Sequence, residues 1–316
     1  MIYNVRHLTT VKYATPVRLA RFNVRLRPAL WPGQVLDKFA MTIDPVPWSI
    51  QEDTGPFVVN RSRLIIREPL SLLKIESRFR IEVFEPSLIA GMYGPETGRE
   101  SGRESGPKTD VDPGYGGPTV AQLRERTARN LDLTAMGPAS YLYPAPMTPS
   151  SPAIAAWAAR FFPSQQGVLA AGQALMRAIY EEFTYDGEAT TSETLPDEAF
   201  AARHGVCQDF AHVMIVAARA HGIPAGYVSG YLRTIPPPGK ARLVGADATH
   251  AWATLWCGDE LGWVGFDPTN DTLARSDHIF TAMGRDYADV APLDGVFHGG
   301  ARQKLSVSVD VAPCES

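Results

Sequence analysis

A cysteine at the start of a helix limits what this chain can fold into more than any other feature. Gly205-Val206-Cys207-Gln208-Asp209-Phe210 runs into Phe210, Met214, Ala217 and Ala218, whose spacing puts them on one helical face. His221-Gly222-Ile223-Pro224 ends the pattern. Such a helix needs other elements to cover its apolar stripe. Its first turn also presents unpaired N–H groups and the positive end of the helix dipole to Cys207. Both favour a thiolate over a thiol, and a thiolate is a nucleophile that needs a base. A lone cysteine can equally be a small buried apolar residue, so the partners decide.

Two later runs supply candidates. Ala248 to Trp256 alternates as a strand does and carries His250, and Gly262 to Asn270 holds a second aromatic run that stops at Asp267-Pro268. Only Cys257-Gly258-Asp259-Glu260-Leu261 separates them, and Gly258 and Asp259 suit a turn, so a β-hairpin is expected. Packed against the Cys207 helix, that hairpin would bring together a thiolate, an imidazole and a carboxylate. Nucleophilic catalysis requires that set: attacker, proton carrier, and a group that fixes the imidazole tautomer.

Cys207 in GVCQDFAH, His250 in DATHAWA and Asp267 in GFDPTN together resemble the transglutaminase-like superfamily, in its bacterial branch. Phe183-Thr184-Tyr185, the threonines up to Thr194, and Phe200 to Gly205 are similar to the same core. The resemblance spans about residues 170 to 275. It implies a papain-like α+β fold in which Cys207 is the nucleophile, His250 the general base and acid, and Asp267 the orienting carboxylate. His7, Thr9-Thr10, Tyr13, Pro16-Val17 and Arg25 to Pro28 are similar to the N-terminal region that precedes this bacterial core.

Without the family, residues 1–86 still pattern as β structure, with turns at Asp53 to Pro56 and Glu68-Pro69, and predict an antiparallel β-sandwich. Residues 87–118 contain a repeated GRES unit between Gly98 and Gly106 and have little to bury, which suits a linker or mobile loop. Residues 119–316 form the expected catalytic domain. Helices are expected over Val120–Leu133, Ile154–Phe162 and Val168–Phe183, with an irregular proline-rich stretch at Pro138–Pro152 between them. Leu305 to Val311 alternates strictly and predicts a closing strand.

Composition limits the setting. At 45% hydrophobic and 20% charged, the 316 residues can fill two cores, and a net charge of −4 argues against nucleic acid as a partner. No apolar run reaches the length of a membrane span, and Met1 to Lys12 lacks a signal-peptide pattern. Three cysteines make no even framework, so a cytoplasmic setting is expected, with Cys257 and Cys314 incidental. No CxxC, HExxH or EF-hand pattern occurs. His212 would point about 140° away from Cys207 on a helix. No metal or other cofactor is therefore expected. His221 suits a helix end, and His278 and His298 flank irregular segments and are expected in solvent.

The triad would form a thioester, and the acceptor names the reaction. Water gives hydrolysis of a peptide, amide or isopeptide bond, the outcome expected here, with a peptide or protein as substrate. The alternatives are protein–glutamine transamidation and a non-catalytic binding or scaffold protein on the same fold. For the oxyanion, the Cys207 N–H is one candidate donor, with Tyr185 and Gln208 as side-chain candidates. Asp209 is expected to favour the helix start by its charge. Trp252 and Trp263 either wall the cleft or pack the core. Thr234 to Asp247 is the expected specificity loop.

Overall fold

Strand β1 (Ile2–Val24) organises the amino-terminal third of the computed structural model, which describes residues 1–86, 117–234, 248–300 and 302–314. Residues 87–116 of the expected linker and 235–247 of the expected specificity loop lie outside the described residues. Along β1, Tyr3, Val5, His7, Thr9, Val11 and Tyr13 are buried, and then the inward set changes to Val17, Ala20, Phe22 and Val24. The switch follows a register break between Lys12 and Val17 and a left-handed Leu19 at φ 46°. Breaking a period-2 pattern turns the strand from one sheet into another.

β2 (Gln34–Asp44) and β5 (Leu70–Val83) extend the sheet of the first half of β1, while β3 (Ser49–Thr54) and β4 (Asn60–Ile66) extend that of its second half. The two leaves of this curled antiparallel sheet close on Val11, Phe22, Leu64, Ile66, Leu73 and Ile75. Each such side chain contributes about 1.5–3 kcal/mol on burial.

The rest of the chain builds a helical layer on a second sheet. Helices α1 (Val120–Ala128), α2 (Pro152–Ala158) and α3 (Val168–Glu182) come first. β6 (Thr184–Tyr185), α4 (Pro196–Ala202), β7 (His204–Gly205) and α5 (Cys207–Ala220) follow. Next are β8 (Ala225–Leu232), β9 (Ala248–Trp256), β10 (Trp263–Asp267), β11 (Thr272–Leu273), β12 (His278–Gly284) and the short α6 (Tyr287–Val290). The sheet runs β11-β10-β9-β8-β12, antiparallel throughout.

The expected hairpin forms, with Trp256 opposite Trp263 and Ala253 opposite Phe266. In α5 the burial exceeds the expected stripe: every residue from Gln208 to Arg219 is buried. The helix lies between β8 and β9 on one side and α2, α3 and α4 on the other, so it has no solvent face. α1 is shorter than expected. Its capping box is formed by Thr119 and Gln122, and after Ala128 the chain turns on Asn130 and Asp132, whose side chains accept N–H groups two residues on.

One expected boundary is corrected. β13 (Leu293–His298) and β14 (Gln303–Pro313), expected within the 119–316 unit, pair instead with β1. β14 is the predicted closing strand, matched from Tyr3 opposite Pro313 to Tyr13 opposite Gln303, but it closes the first sheet. The first half of β1 has β5 on one edge and β14 on the other; without β14 an open edge of that length would face solvent. Among the described residues, no helix is long and apolar enough to cross a membrane.

Candidate active site

The segment before Cys207 is held at every residue. Arg203 ends α4 in the left-handed region at φ 57°, and its guanidinium lies over Phe200 (4.0 Å), Phe183 (4.7 Å) and Trp157 (5.3 Å). His204 and Gly205 then pair in parallel with Thr184 and Tyr185. A Cβ on Gly205 would stand 2.7 Å from Asp209 Oδ2, so only glycine lets that carboxylate through. Asp209 Oδ2 accepts the Val206 N–H at 2.8 Å and the Thr190 hydroxyl at 2.7 Å. The expected charge effect is thus accompanied by direct bonds, which tie the helix start to the neighbouring loop. Burial pushes the Asp209 carboxyl above its usual range despite those bonds.

Cys207 is the first residue of α5 and only partly buried. It lies near enough to His250 to help raise that imidazole's affinity for a proton. His250, near the start of β9, places Nε2 2.7 Å from Asp267 Oδ2 at the end of β10. With Nε2 so engaged, Nδ1 is the ring nitrogen left for the thiol. Burial alone would lower the imidazole pKa, but the bonds and charges of Asp267 and Cys207 outweigh it. They hold His250 well above the ordinary imidazole range.

Asp267 is completely buried and receives four donors. Oδ2 accepts from His250, from Asn270 Nδ2 at 2.7 Å and from His278 Nε2 at 3.1 Å, and Oδ1 accepts the Thr269 N–H at 3.0 Å. Burial would raise this carboxyl too, yet the two imidazoles keep it far below the usual carboxylate range. The three expected residues therefore meet, as thiol, imidazole and carboxylate. Proton transfer between Cys207 and His250 can produce a thiolate–imidazolium pair stabilised by Asp267.

His278 and Asn270 were missed by the sequence reading. His278, expected in solvent, is 6% exposed and bonded to Asp267. The available signal was its place at the head of the apolar run His278 to Met283, which becomes the buried β12. His250, Asp267 and His278 have ligand-type atoms within 4.8 Å of one another, as a metal site would. Hydrogen bonds account for that convergence, because two ring nitrogens share one carboxylate oxygen.

The remaining candidates divide. Tyr185 is 59% exposed and has its ring edge on Phe210, and partial burial, with a smaller effect from nearby Cys207, raises its hydroxyl pKa. Gln208 is buried, and its Nε2 donates to the Ser192 carbonyl at 3.1 Å, anchoring the loop before α4. Trp252 is 3% exposed and packs behind the imidazoles, edge to face with His278 at 5.3 Å. Gly230 and Gly265 leave room for its indole, so Trp252 supports the site from the core. Trp263 donates to the Met136 carbonyl at 2.8 Å and packs on Tyr141 and Trp256, at the other end of β10 from Asp267. His221 caps α5 and bonds the Ala155 carbonyl, and His298 is exposed, as expected for both.

A helix-borne thiol beside an imidazole–carboxylate pair on an antiparallel sheet defines a papain-like α+β fold. The chain contains a transglutaminase-like core and a bacterial transglutaminase-like N-terminal region: residues 155–268 match the transglutaminase-like superfamily, and residues 3–82 match the bacterial transglutaminase-like N-terminal region. This is an enzyme family. An uncharacterized protein of Mycobacterium bovis is 50% identical over 145 residues, covering 45% of this chain and 46% of that protein. The match therefore spans less than half the length of this curated relative. A protein-glutamine gamma-glutamyltransferase of Pseudomonas aeruginosa is 35% identical over 105 residues, 31% of this chain and 16% of that protein. The crystal structure of a candidate cysteine protease from Cytophaga hutchinsonii covers 100% of this chain and 92% of its own, at 20% identity and a TM-score of 0.68. That last likeness concerns the fold.

Proposed function

We propose that this protein is a cysteine-dependent acyl-transfer enzyme that hydrolyses a peptide, amide or isopeptide bond through a thioester on Cys207. The observation that carries the proposal is the 2.7 Å contact of His250 with the fully buried Asp267, beside a thiol at a helix start. In the first half-reaction the Cys207 thiolate adds to the acyl carbon, and the His250 imidazolium protonates the departing amine. Water then adds to the thioester as neutral His250 removes its proton, and the thiolate leaves. The backbone N–H of Cys207, in the unpaired first turn of α5, points to one oxyanion donor, and the exposed Tyr185 hydroxyl is the candidate second.

Transamidation is the second reading, favoured by the similarity to the gamma-glutamyltransferase. There a substrate amine replaces water in the second half-reaction. Iodoacetamide at pH 6 tests the thiol chemistry: Cys207 should be alkylated far faster than Cys314, and His250→Ala should remove the difference. Equal slow labelling of both would point to a non-catalytic member of the fold. A glutamine-containing protein offered with a fluorescent amine separates the acceptors, since transamidation incorporates the label and hydrolysis does not.

A further inference from the structure

A second imidazole touches the carboxylate that orients the first. His278 Nε2 lies 3.1 Å from Asp267 Oδ2, while its Nδ1 accepts the backbone N–H of Arg275 at 3.2 Å. A nitrogen that accepts carries no proton, so the partners assign the proton to Nε2, and His278 donates to Asp267 as a neutral ring. Trp252 packs edge to face on that ring, at 82° and 5.3 Å between centroids. The turn before His278 is fixed in turn by the amino-terminal sheet. Glu85, just past β5, accepts from Arg275 Nε at 2.9 Å and from the Ser276 N–H at 3.2 Å. Tyr3 of β1 donates to Asp277 at 2.7 Å.

We propose that His278 is a positioning residue of the reaction: as a neutral donor it fixes the Asp267 carboxylate that orients His250, and the amino-terminal sheet fixes His278 through the Arg275–Asp277 turn. The proposal rests on the thioester chemistry above. A carboxylate bonded only to the imidazole it serves can swing with it. A neutral second donor holds that carboxylate without dividing its charge between two cations. The titratable and charged groups around it are His250 from β9, Cys207 from α5 beyond that ring, and Asp277 with Tyr3 and Arg233 beside the turn.

The test is the rate of Cys207 alkylation by iodoacetamide, followed by mass spectrometry across pH on the full chain. His278→Phe keeps a ring against Trp252 and removes the donor. It should slow alkylation about tenfold at pH 6, the worth of one hydrogen bond to a charged group. It should also move the acid limb to higher pH, because Asp267 with one donor fewer takes up a proton sooner. His278→Gln, which carries an N–H near the Nε2 position, should recover most of the rate and the original limb. A parent-like rate and profile in His278→Phe, with His250→Ala still slow, would overturn this proposal and leave the triad standing. An unchanged rate in His250→Ala would remove both. Should His278→Phe fail to fold, nitrogen-15 spectra of the unmodified chain decide: a proton on His278 Nε2 supports the proposal and one on Nδ1 overturns it.

Discussion

Two cysteines lie near opposite ends of β9, one on α5 and one just past the strand, and they could hardly differ more. Cys207 starts a helix, stays partly open, and meets an imidazole backed by a buried carboxylate. Cys257 follows β9 at the opposite end, fully buried among apolar side chains, and burial pushes its thiol far above the ordinary range. Hairpin geometry occupies its backbone, whose N–H bonds the Gly262 carbonyl at 2.9 Å. The residue type is the same, and the surroundings suit one to the nucleophile's part in the proposed chemistry and make the other packing material.

The sharpest way to break that contrast is to remove each cysteine. Cys207→Ala should abolish turnover, while Cys257→Ala should leave thiol chemistry intact and lower the melting temperature. Loss of alkylation and turnover in Cys257→Ala would reverse the assignment. His250→Ala should come next, with a loss of about a thousandfold in turnover, the scale of removing a triad base.

Asp267→Asn should cost about a hundredfold, and its pH profile is the more telling result. Because Asp267 raises the His250 pKa, the imidazolium that would protonate the leaving amine in the proposed reaction persists above the ordinary imidazole value of ~6.5 and is lost as pH rises further. Without the carboxylate, the alkaline decline should begin at lower pH. An unshifted alkaline limb would show that Asp267 does not tune His250.

A smaller effect distinguishes the site from the rest of the interior. His7, bonded to Tyr231 and Thr9, has its pKa lowered by burial to about 4, and His212, against the Tyr287 N–H, is lowered by burial to about 3. Both stay neutral in the folded state while the unfolded chain takes up protons below ~6.5. Stability they contribute is present above that value and is lost as pH falls toward the folded pKa. Each should account for on the order of 3 kcal/mol between pH 7 and pH 4, measured as urea unfolding. A variant lacking His7 should show a shallower acid decline. The smallest change expected is in Gly205→Ala, where the added methyl displaces Asp209. A loss of about 1–3 kcal/mol in stability with slower Cys207 alkylation would place the cap in the service of the thiol. A stability loss alone would confine the cap to folding.

The residues that meet at the site were legible in sequence where chemistry and local structure coincide. Cys207 stands at a helix start, His250 in an alternating strand, and Asp267 just before a proline that ends one. His278 was not legible, because the polar Arg275-Ser276-Asp277 ahead of it suggests solvent, whereas those side chains serve the amino-terminal sheet. Trp252 left two roles open, since an aromatic at i+2 from a histidine can face a cleft or a core, and the glycines that receive it lie on other strands. The destination of β14 was hidden for a related reason. Strict alternation identifies a strand and one covered face but does not name the neighbour along its edge. The amino-terminal unit was readable as β structure, yet the break that lets β1 serve two sheets shows only as a change in which residues point inward.

The pairing of β1 with β14 has a consequence during synthesis. The two strands are separated in the chain by all of the core, so a ribosome finishes β1 long before its second edge can be covered. A translation product interrupted before Gln303 would carry Cys207, His250 and Asp267 yet keep an uncapped strand ready to pair with another molecule. A chain that lacks β14 would then be marked by the stickiness of its first strand.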